Sequence, residues 1–370
     1  MKYIRINPEK KMSEAQKAIL EEYFINRSLR FSGAGKHSYE INMPDGRSIK
    51  KGVRLKYSLL MNDLKESRRS IEILDQKKGS GAFGSTIISK GVIKVDENMR
   101  YKVRSGEEKK RVVKRIPLNG KSTKKRVRKE AERAGKGSSV LHCKAALFSP
   151  KNAYLIMRKA PGMELYELME KMDEGKITLN TLQMLKISLA IIEAVNNIHQ
   201  RGILHLDIKP ENIMVDPTTL KITIIDFGLS VPISKKRVKN PRGTPEFISP
   251  ELAFANAVSP ACDVFSLGQT LAEFWNNRPS LPDTEDSDAY MSELFFQYLQ
   301  DESIWQFTGI KAPDPIKDEL SDLLWRLCRF HCEDRIGLDE AALKTGKMID
   351  FLINSESCQD TDNQHYCNLM

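Results

Sequence analysis

Two short polar runs constrain this 370-residue chain more than any other feature. The first reads His205-Leu206-Asp207-Ile208-Lys209-Pro210-Glu211-Asn212, and the second, after a strand-like stretch, reads Asp226-Phe227-Gly228. Their two aspartates, one lysine and one asparagine match the spacing of a functional motif. So many matching positions are not expected by chance. The chemistry of the chain is therefore expected here.

The residue types in these runs fit phosphoryl transfer. That reaction needs a carboxylate to accept a hydroxyl proton, a cation near the transferring group and oxygen ligands for magnesium. Asp207 fits the first role and Lys209 the second, while Asn212 and Asp226 fit the third. We therefore predict that Asp207 and Lys209 are catalytic and that Asn212 and Asp226 bind metal.

A glycine-rich turn lies upstream, with the sequence Gly79-Ser80-Gly81-Ala82-Phe83-Gly84. Glycines let a turn bring its backbone N–H groups close to phosphates, because no Cβ blocks the contact. A dinucleotide-binding fold would need a helix at the third glycine, with an acidic residue further on. The strand-like residues 85–89 follow instead, which argues against that fold.

A lysine interrupts the β-branched strand predicted over residues 111–116. Lys114 can reach nucleotide phosphates below the glycine turn if a carboxylate holds it in place. Glu130, in the helix-like segment 124–134, is our first choice for that carboxylate. Glu132 is the alternative, because this basic segment lacks the apolar landmarks that would define its helical register.

Taken together, these motifs resemble the eukaryotic-type serine/threonine protein kinase family from about Ile71 to about Leu352. The resemblance implies an α+β, two-lobed fold with a small β-rich N-lobe and a larger, mainly helical C-lobe. It implies ATP and Mg²⁺ as cofactors and transfer of the γ-phosphoryl group to Ser/Thr hydroxyls of protein substrates. We predict an N-terminal extension over 1–70, the N-lobe over 71–160, the C-lobe over 161–352 and a loose polar tail over 353–370.

The resemblance also assigns nucleotide-binding roles. Residues 79–84 would cover the phosphates, and Lys114 would pair with the α- and β-phosphates, held by Glu130. Met157 would be the gatekeeper, and Lys159 would lie in the hinge against adenine. Glu164 would contact the ribose or the substrate.

Four further residues have expected architectural roles. By the same resemblance, Glu251 would form an ion pair with Arg335. Asp263 would anchor the catalytic loop, which is the polar run 205–212. His205 is expected to brace that loop as a buried histidine rather than to carry protons.

The residue before the base departs from the family pattern. It is Leu206, where most family members that are regulated by phosphorylation carry an arginine that binds the phosphate. We therefore predict activity that does not depend on phosphorylation of the activation loop, whose only hydroxyl residues before Gly243 are Ser230 and Ser234. Lys235-Lys236-Arg237 and Lys239 fill its middle, which either favours acidic substrates or forms a solvated basic loop.

A pseudokinase-like scaffold, which binds nucleotide and partner proteins without turnover, is the alternative function. Its usual mark is loss of the lysine, the base or a metal ligand, and all of these are present. The extension and the long stretch from Gly84 to Lys114 offer a place for a protein regulator. No specific nucleic-acid partner is predicted.

Net charge and cysteine content limit the partners and the covalent cross-links that this chain can have. The formal net charge of +10 favours acidic partners. Six irregularly spaced cysteines argue against a disulfide framework, and Cys328, His331 and Cys332 lie in an apolar helical pattern without a second ligand pair.

The termini bear on localisation. The charged N-terminus and the lack of an 18-residue apolar run predict a cytoplasmic protein. The last residues, Cys367-Asn368-Leu369-Met370, fit a prenylation box that would add membrane association, and a free cysteine is the other reading. The divergent small lobe favours a bacterial effector in host cytoplasm over a eukaryotic enzyme.

Overall fold

A computed structural model of the chain describes residues 3–6, 13–27, 31–64, 68–81, 84–95, 101–104, 111–119, 123–137, 143–276 and 310–367. The chain forms two compact units, Met1–Gly135 with Val140–Lys159, and Lys136–Ser139 with Ala160–Met370. The first is rich in strands and the second in helices, so the predicted two-lobed α+β fold is confirmed.

The first unit contains eleven strands and two helices within the described residues. They are β1 (Tyr3–Ile6), α1 (Glu14–Arg27), β2 (Phe31–Ser32), β3 (Gly35–Asn42), β4 (Ser48–Leu55), β5 (Ser58–Leu64), β6 (Arg68–Gly81), β7 (Gly84–Val95), β8 (Tyr101–Arg104), β9 (Arg111–Pro117), α2 (Lys124–Gly137), β10 (Cys143–Phe148) and β11 (Asn152–Arg158). The last two residues of α2 belong to the second unit.

Most of these strands form one antiparallel sheet in the order β10-β11-β9-β7-β6-β5-β2, with β8 paired to β7. Alternation along β9 sends Val113 and Lys114 to opposite faces. Val113 joins a buried apolar cluster with Leu74 of β6. Ile116, on the face of Lys114, packs with Val127 of α2. The helix therefore covers the lysine-bearing face of the sheet.

The N-terminal extension shares its core with this sheet. Helix α1 starts at a capping box, in which Ser13 and Gln16 each accept the other's backbone N–H. Its Leu20 and Tyr23 pack with residues of the sheet β1-β4-β3 and with Ile73 of β6. Strand β5 then pairs with β6 along its whole length. The extension is thus continuous with the sheet, and the predicted boundary at residue 70 falls inside β6.

A buried ionic contact joins three strands of the sheet. Glu72 of β6 is fully buried, and its carboxylate accepts hydrogen bonds from Arg111 of β9 and, at 2.8 Å, from the Ser89 hydroxyl of β7. A buried carboxylate is tolerated only when its charge is compensated. Arg111 therefore neutralises Glu72 at the start of the strand that carries Lys114.

We expect Arg111→Met to lower the free energy of unfolding by about 3 kcal/mol or more, because it leaves a buried charge without its partner. Urea unfolding measures the change. Arg115→Met is the matched control on the same strand, since Arg115 donates to the neutral Asn152 side chain. The double variant Glu72→Leu/Arg111→Met should recover most of the loss, and no recovery would contradict the buried-pair explanation.

The second unit is mainly helical. Its elements are β12 (Met163–Glu164), α3 (Leu165–Asp173), α4 (Thr181–Gln200), β13 (Ile203–Leu204), β14 (Ile213–Val215), β15 (Ile222–Ile224), β16 (Val231–Pro232), α5 (Pro250–Ala255), α6 (Pro260–Phe274), α7 (Asp314–Leu327) and α8 (Leu338–Cys367), with 3₁₀ turns at Pro210–Asn212, Pro245–Phe247 and Cys332–Asp334.

Apolar residues recur every three or four positions from Leu182 to His199, which predicts a helix, and α4 covers this stretch. Asn180 and Gln183 form a capping box at its start, and its buried face includes Leu185, Ile192 and Val195. The polar run 205–212 follows between β13 and β14, and the second run follows β15. Because β14 and β15 pair, the two runs emerge side by side.

The C-terminal end differs from the prediction. A loose tail is expected from residue 353, but α8 continues to Cys367, so that expectation was wrong. Neither glycine nor proline follows Gly346, so nothing in the polar residues breaks the helix. Within the described part of the chain, no helix is both long and apolar enough to cross a bilayer. Residues 368–370 of the predicted prenylation box lie outside the described residues.

Candidate active site

Asp207 lies in the catalytic loop between β13 and β14, and both of its carboxylate oxygens accept hydrogen bonds. The Asn212 amide donates to Oδ2 at 2.9 Å and to the Asp207 carbonyl at 2.8 Å. The Thr244 hydroxyl donates to Oδ1 at 2.9 Å. The side chain is therefore held in one orientation, and the residue stays 9 % exposed.

The backbone before Asp207 is held by Asp263, as the resemblance implies. The fully buried Asp263 carboxylate accepts from the backbone N–H of His205 at 2.8 Å and of Leu206 at 2.7 Å. His199 donates to it through Nε2 at 2.8 Å. Burial alone raises the pKa of Asp263, but the hydrogen bonds from the two histidines hold it below its usual value.

Leu206 adopts a left-handed backbone conformation, with φ at 61°. Such a conformation is unfavourable for leucine, so its environment must stabilise it. The hydrogen bond to Asp263 does this from the backbone, and burial in an apolar cluster does it from the side chain. The strained residue thereby aims the next side chain, Asp207.

His205 is a buried brace, as expected. Its Nε2 lies 2.9 Å from the Ile225 carbonyl, and its ring meets that of Phe227 edge-on, with centroids 4.9 Å apart. The Ile225 N–H in turn donates to the Asn212 carbonyl at 2.8 Å. These contacts lock the two polar runs together.

Asn212 and Asp226 carry the oxygen atoms expected for a metal. The Asn212 amide nitrogen is engaged by Asp207, which leaves its side-chain oxygen for another partner. Asp226 has a φ of 60°, and its Oδ1 accepts the Gly228 N–H at 3.0 Å. A carboxylate and an amide oxygen fit Mg²⁺, which prefers oxygen ligands and completes its shell with waters and phosphate.

Lys209 lies near the carboxylates of Glu211, on its own loop, and of Glu164, in β12. Its Nζ is 3.9 Å from Glu211 Oε1. Burial raises the pKa of Glu164, and the charges of Glu167 and Glu211 raise it further, while Lys209 opposes them. Lys209 therefore partly neutralises the carboxylates of Glu164 and Glu211.

Phe227 is 1 % exposed and packs against a residue that the motif analysis missed. That residue is Gly137 at the end of α2, where a Cβ would lie only 2.3 Å from the Phe227 ring. Arg201 donates to the neighbouring Lys136 carbonyl at 3.0 Å and caps the helix. Glycine is thus required for this close approach.

In the first unit, Lys114 Nζ lies 2.8 Å from Glu130 Oε1, with both side chains 9 % exposed. The structure thereby decides between the two acids that the sequence left open. Val127, Glu130 and Ala134 form the buried side of α2, whereas Glu132 faces outward.

The remaining nucleotide-binding candidates are placed as follows. Gly79, Ser80 and Gly81 end β6 and Gly84 begins β7, with Gly79 opposite Thr86 in the hairpin, while Ala82 and Phe83 lie outside the described residues. Met157 is half-buried on β11, and Lys159 ends the first unit. Glu164, in β12, belongs to the second unit.

The expected ion pair is bidentate. Arg335 Nη1 and Nη2 lie 2.7 and 2.9 Å from the two carboxylate oxygens of Glu251, and Arg335 also donates to the Ala261 and Phe330 carbonyls.

Among the described residues, no group of three or more His, Cys, Asp or Glu side chains could hold a metal. Cys328 itself is buried at the end of α7.

We expect Glu130→Ala to leave the Lys114 ammonium without its buried partner and so to weaken the predicted contact of Lys114 with nucleotide phosphate. The KM for ATP should rise about tenfold or more, from the loss of one charge-assisted hydrogen bond. Glu132→Ala, on the exposed side of the same helix, is the matched control. Equal effects of the two substitutions would contradict the role of the buried pair.

The protein kinase domain family model matches residues 79–345. Smooth-muscle myosin light chain kinase from Gallus gallus is 25% identical over 290 residues, which cover 77% of this chain and 14% of that protein. Myosin light chain kinase 3 from Danio rerio is 41% identical over 125 residues, 33% of this chain and 17% of the relative. Citron rho-interacting kinase from Rattus norvegicus is 29% identical over 186 residues, 48% of this chain and 8% of the relative. The chain thus spans less than a fifth of each relative's length.

Proposed function

Because the chain belongs to the protein kinase family, we propose that it is an active enzyme that transfers the γ-phosphoryl group of ATP to serine or threonine hydroxyls of protein substrates. The observation that carries this proposal is the orientation of Asp207 by Asn212 and Thr244. A carboxylate held in this way can accept a proton from a hydroxyl group that comes within hydrogen-bond distance.

The groups of the second unit suit each part of the reaction. The substrate hydroxyl oxygen forms a bond to the γ-phosphorus as the bond to the ADP oxygen breaks, ADP leaves with that electron pair, and the hydroxyl proton passes to Asp207. Lys209 offsets negative charge beside the base. Asn212 and Asp226 would hold Mg²⁺, which supplies neutralisation of the phosphate charge when it is bound.

Lys114 is the matching group of the first unit. A buried ammonium needs a counter-charge, and Glu130 supplies it. The pair holds the ammonium group of Lys114 in one place on β9, where it would bind the α- and β-phosphates. These intact groups favour catalysis over the scaffold alternative.

We expect Asp207→Asn to lower kcat by about 10²-fold or more, since the amide cannot take the proton. Asp226→Asn should also abolish transfer, by loss of a metal ligand. Transfer of labelled phosphate from ATP to a generic protein substrate measures both. Asp216→Asn is the control, because the Asp216 carboxylate accepts the Thr218 and Thr219 N–H groups in the turn between β14 and β15 and has no proposed role in transfer. ATP binding by the wild type without any transfer would support the scaffold instead.

We also propose that the activation segment, which runs from Asp226 to Glu251, is held in place without phosphorylation. Leu206 lies in an apolar cluster to which Ile233 and Val238 of this segment contribute. The Val238 N–H donates to the Asn256 carbonyl at 3.0 Å, and Val258 donates to Lys236 at 2.9 Å. These contacts replace the phosphate–arginine pair that the family commonly uses.

One of the two hydroxyl residues that precede Gly243 in the segment is unsuited to modification. Ser230 is 1 % exposed, and its hydroxyl donates to the Phe227 carbonyl at 2.7 Å. Ser234 is exposed. Of these two residues, only Ser234 is therefore open to a regulatory phosphate.

We expect protein treated with phosphatase to keep its full rate of peptide phosphorylation, because apolar packing holds the segment. Ser234→Ala should do the same. Steady-state kinetics, with intact mass to verify the unphosphorylated state, provide the measurement. An activity that requires prior phosphorylation of Ser234 would overturn this part of the proposal.

A further inference from the structure

We propose that the activation segment binds acidic residues of the protein substrate through four cations, Lys235, Lys236, Arg237 and Lys239. We call these residues the basic strip. This inference rests on the proposed kinase function and names the class of substrate that the same site takes. The recognised chemistry is a cluster of carboxylates near the phosphorylated hydroxyl.

Among the residues that the structure describes, no acidic side chain pairs with the cations of the basic strip. All four are exposed, and none forms an ion pair or a side-chain hydrogen bond within the described residues. Lysines elsewhere do pair, as Lys344 does with Glu319 and Asp322. Four like charges within five residues repel one another, so an anionic partner would relieve a cost that the free protein bears.

The backbone of the basic strip is fixed. Lys235 N–H donates to Pro232 at 2.9 Å, the Lys236 carbonyl accepts from Val258, and Arg237 forms a β-bridge with Ala257. A fixed backbone lowers the entropic cost of binding, because only side chains must be ordered. The cations are thus presented on a preorganised support.

The basic strip is also tied to the catalytic loop. Val238, in its middle, packs in the apolar cluster that contains Leu206, the neighbour of Asp207. The segment then continues to Gly243, where a Cβ would lie 3.2 Å from the Leu206 carbonyl, and to Thr244, which donates to Asp207. A ligand on the strip would therefore bind the same segment that contacts the base, as the protein substrate must.

The carboxylates near the base would instead favour a basic substrate. Glu211, however, lies 3.9 Å from Lys209, whose charge also opposes the raised pKa of Glu164. Those acids are thus partly neutralised by Lys209, whereas the described residues offer the basic strip no ion-pair partner. The positive charge of the basic strip should therefore decide which substrates are attracted, and these are acidic ones.

The test uses three peptides that share one central serine and differ only in whether glutamate, glutamine or lysine flanks it. Wild type is compared with Lys235→Glu/Lys236→Glu/Arg237→Glu. The matched control, Lys186→Glu/Lys221→Glu/Lys347→Glu, makes the same charge change at exposed positions of the same unit. The quantity compared is the ratio of kcat/KM for the glutamate peptide to that for the glutamine peptide.

We expect a ratio of about ten for wild type and for the control, as a few exposed ion pairs would give. It should fall to about one in the strip variant, and added salt should lower it in wild type. Lys235→Gln/Lys236→Gln/Arg237→Gln should give an intermediate ratio, and thermal unfolding verifies that each variant is folded.

A wild-type ratio near one, a preference for the lysine peptide, or a preference that survives in the strip variant would overturn this inference alone. Phosphorylation of the glutamine peptide by wild type would still uphold the kinase function in each of these cases. No transfer to any of the peptides would overturn both proposals.

Discussion

The arrangement of the catalytic loop depends on one buried carboxylate, that of Asp263. It accepts two consecutive backbone N–H groups, from His205 and Leu206, and a histidine side chain. Without this carboxylate, each of the two buried N–H groups would lack an acceptor, which would lower the free energy of unfolding by about 1–3 kcal/mol. The left-handed backbone of Leu206 would lower it by about 1–2 kcal/mol more. The direction of Asp207, and through it the contacts of Asn212 and Thr244, follows from this anchor.

The leucine that precedes the base links the catalytic loop to the activation segment. An arginine there would need an anion, whereas Leu206 completes an apolar cluster with residues of that segment. Hydrophobic packing needs no modification to form, which is why we propose that it holds the segment without phosphorylation. The cations of the basic strip are then not used in holding the segment and face solvent. Segment order and the proposed preference for acidic substrates therefore share one structural cause.

In the first unit, the N-terminal extension widens the sheet that carries Lys114. Strand β5 pairs with β6, and α1 packs over the same core, so the extension buries part of β6. The Glu72–Arg111 pair then joins β6 to the start of β9. The lysine strand is thus supported from the extension side by pairing and by a buried charge contact, while α2 supports it from the other face.

Sequence alone determined the parts of this protein that depend on short spacing. Asp207 and Asn212 are five residues apart and bond directly, α4 follows a regular apolar period, and the glycine turn joins adjacent strands. The polar residues after 355 carry no such period, so their helix was not foreseen.

Tertiary structure decided what depends on distant partners. The choice of Glu130 over Glu132 required the packing of α2 on the sheet. His199 binds Asp263 across 64 positions, and Arg111 binds Glu72 across 39. Single residues of this kind leave no periodic signal. Their roles come from burial, because only a folded core removes water and makes each charge or hydrogen bond require a specific partner.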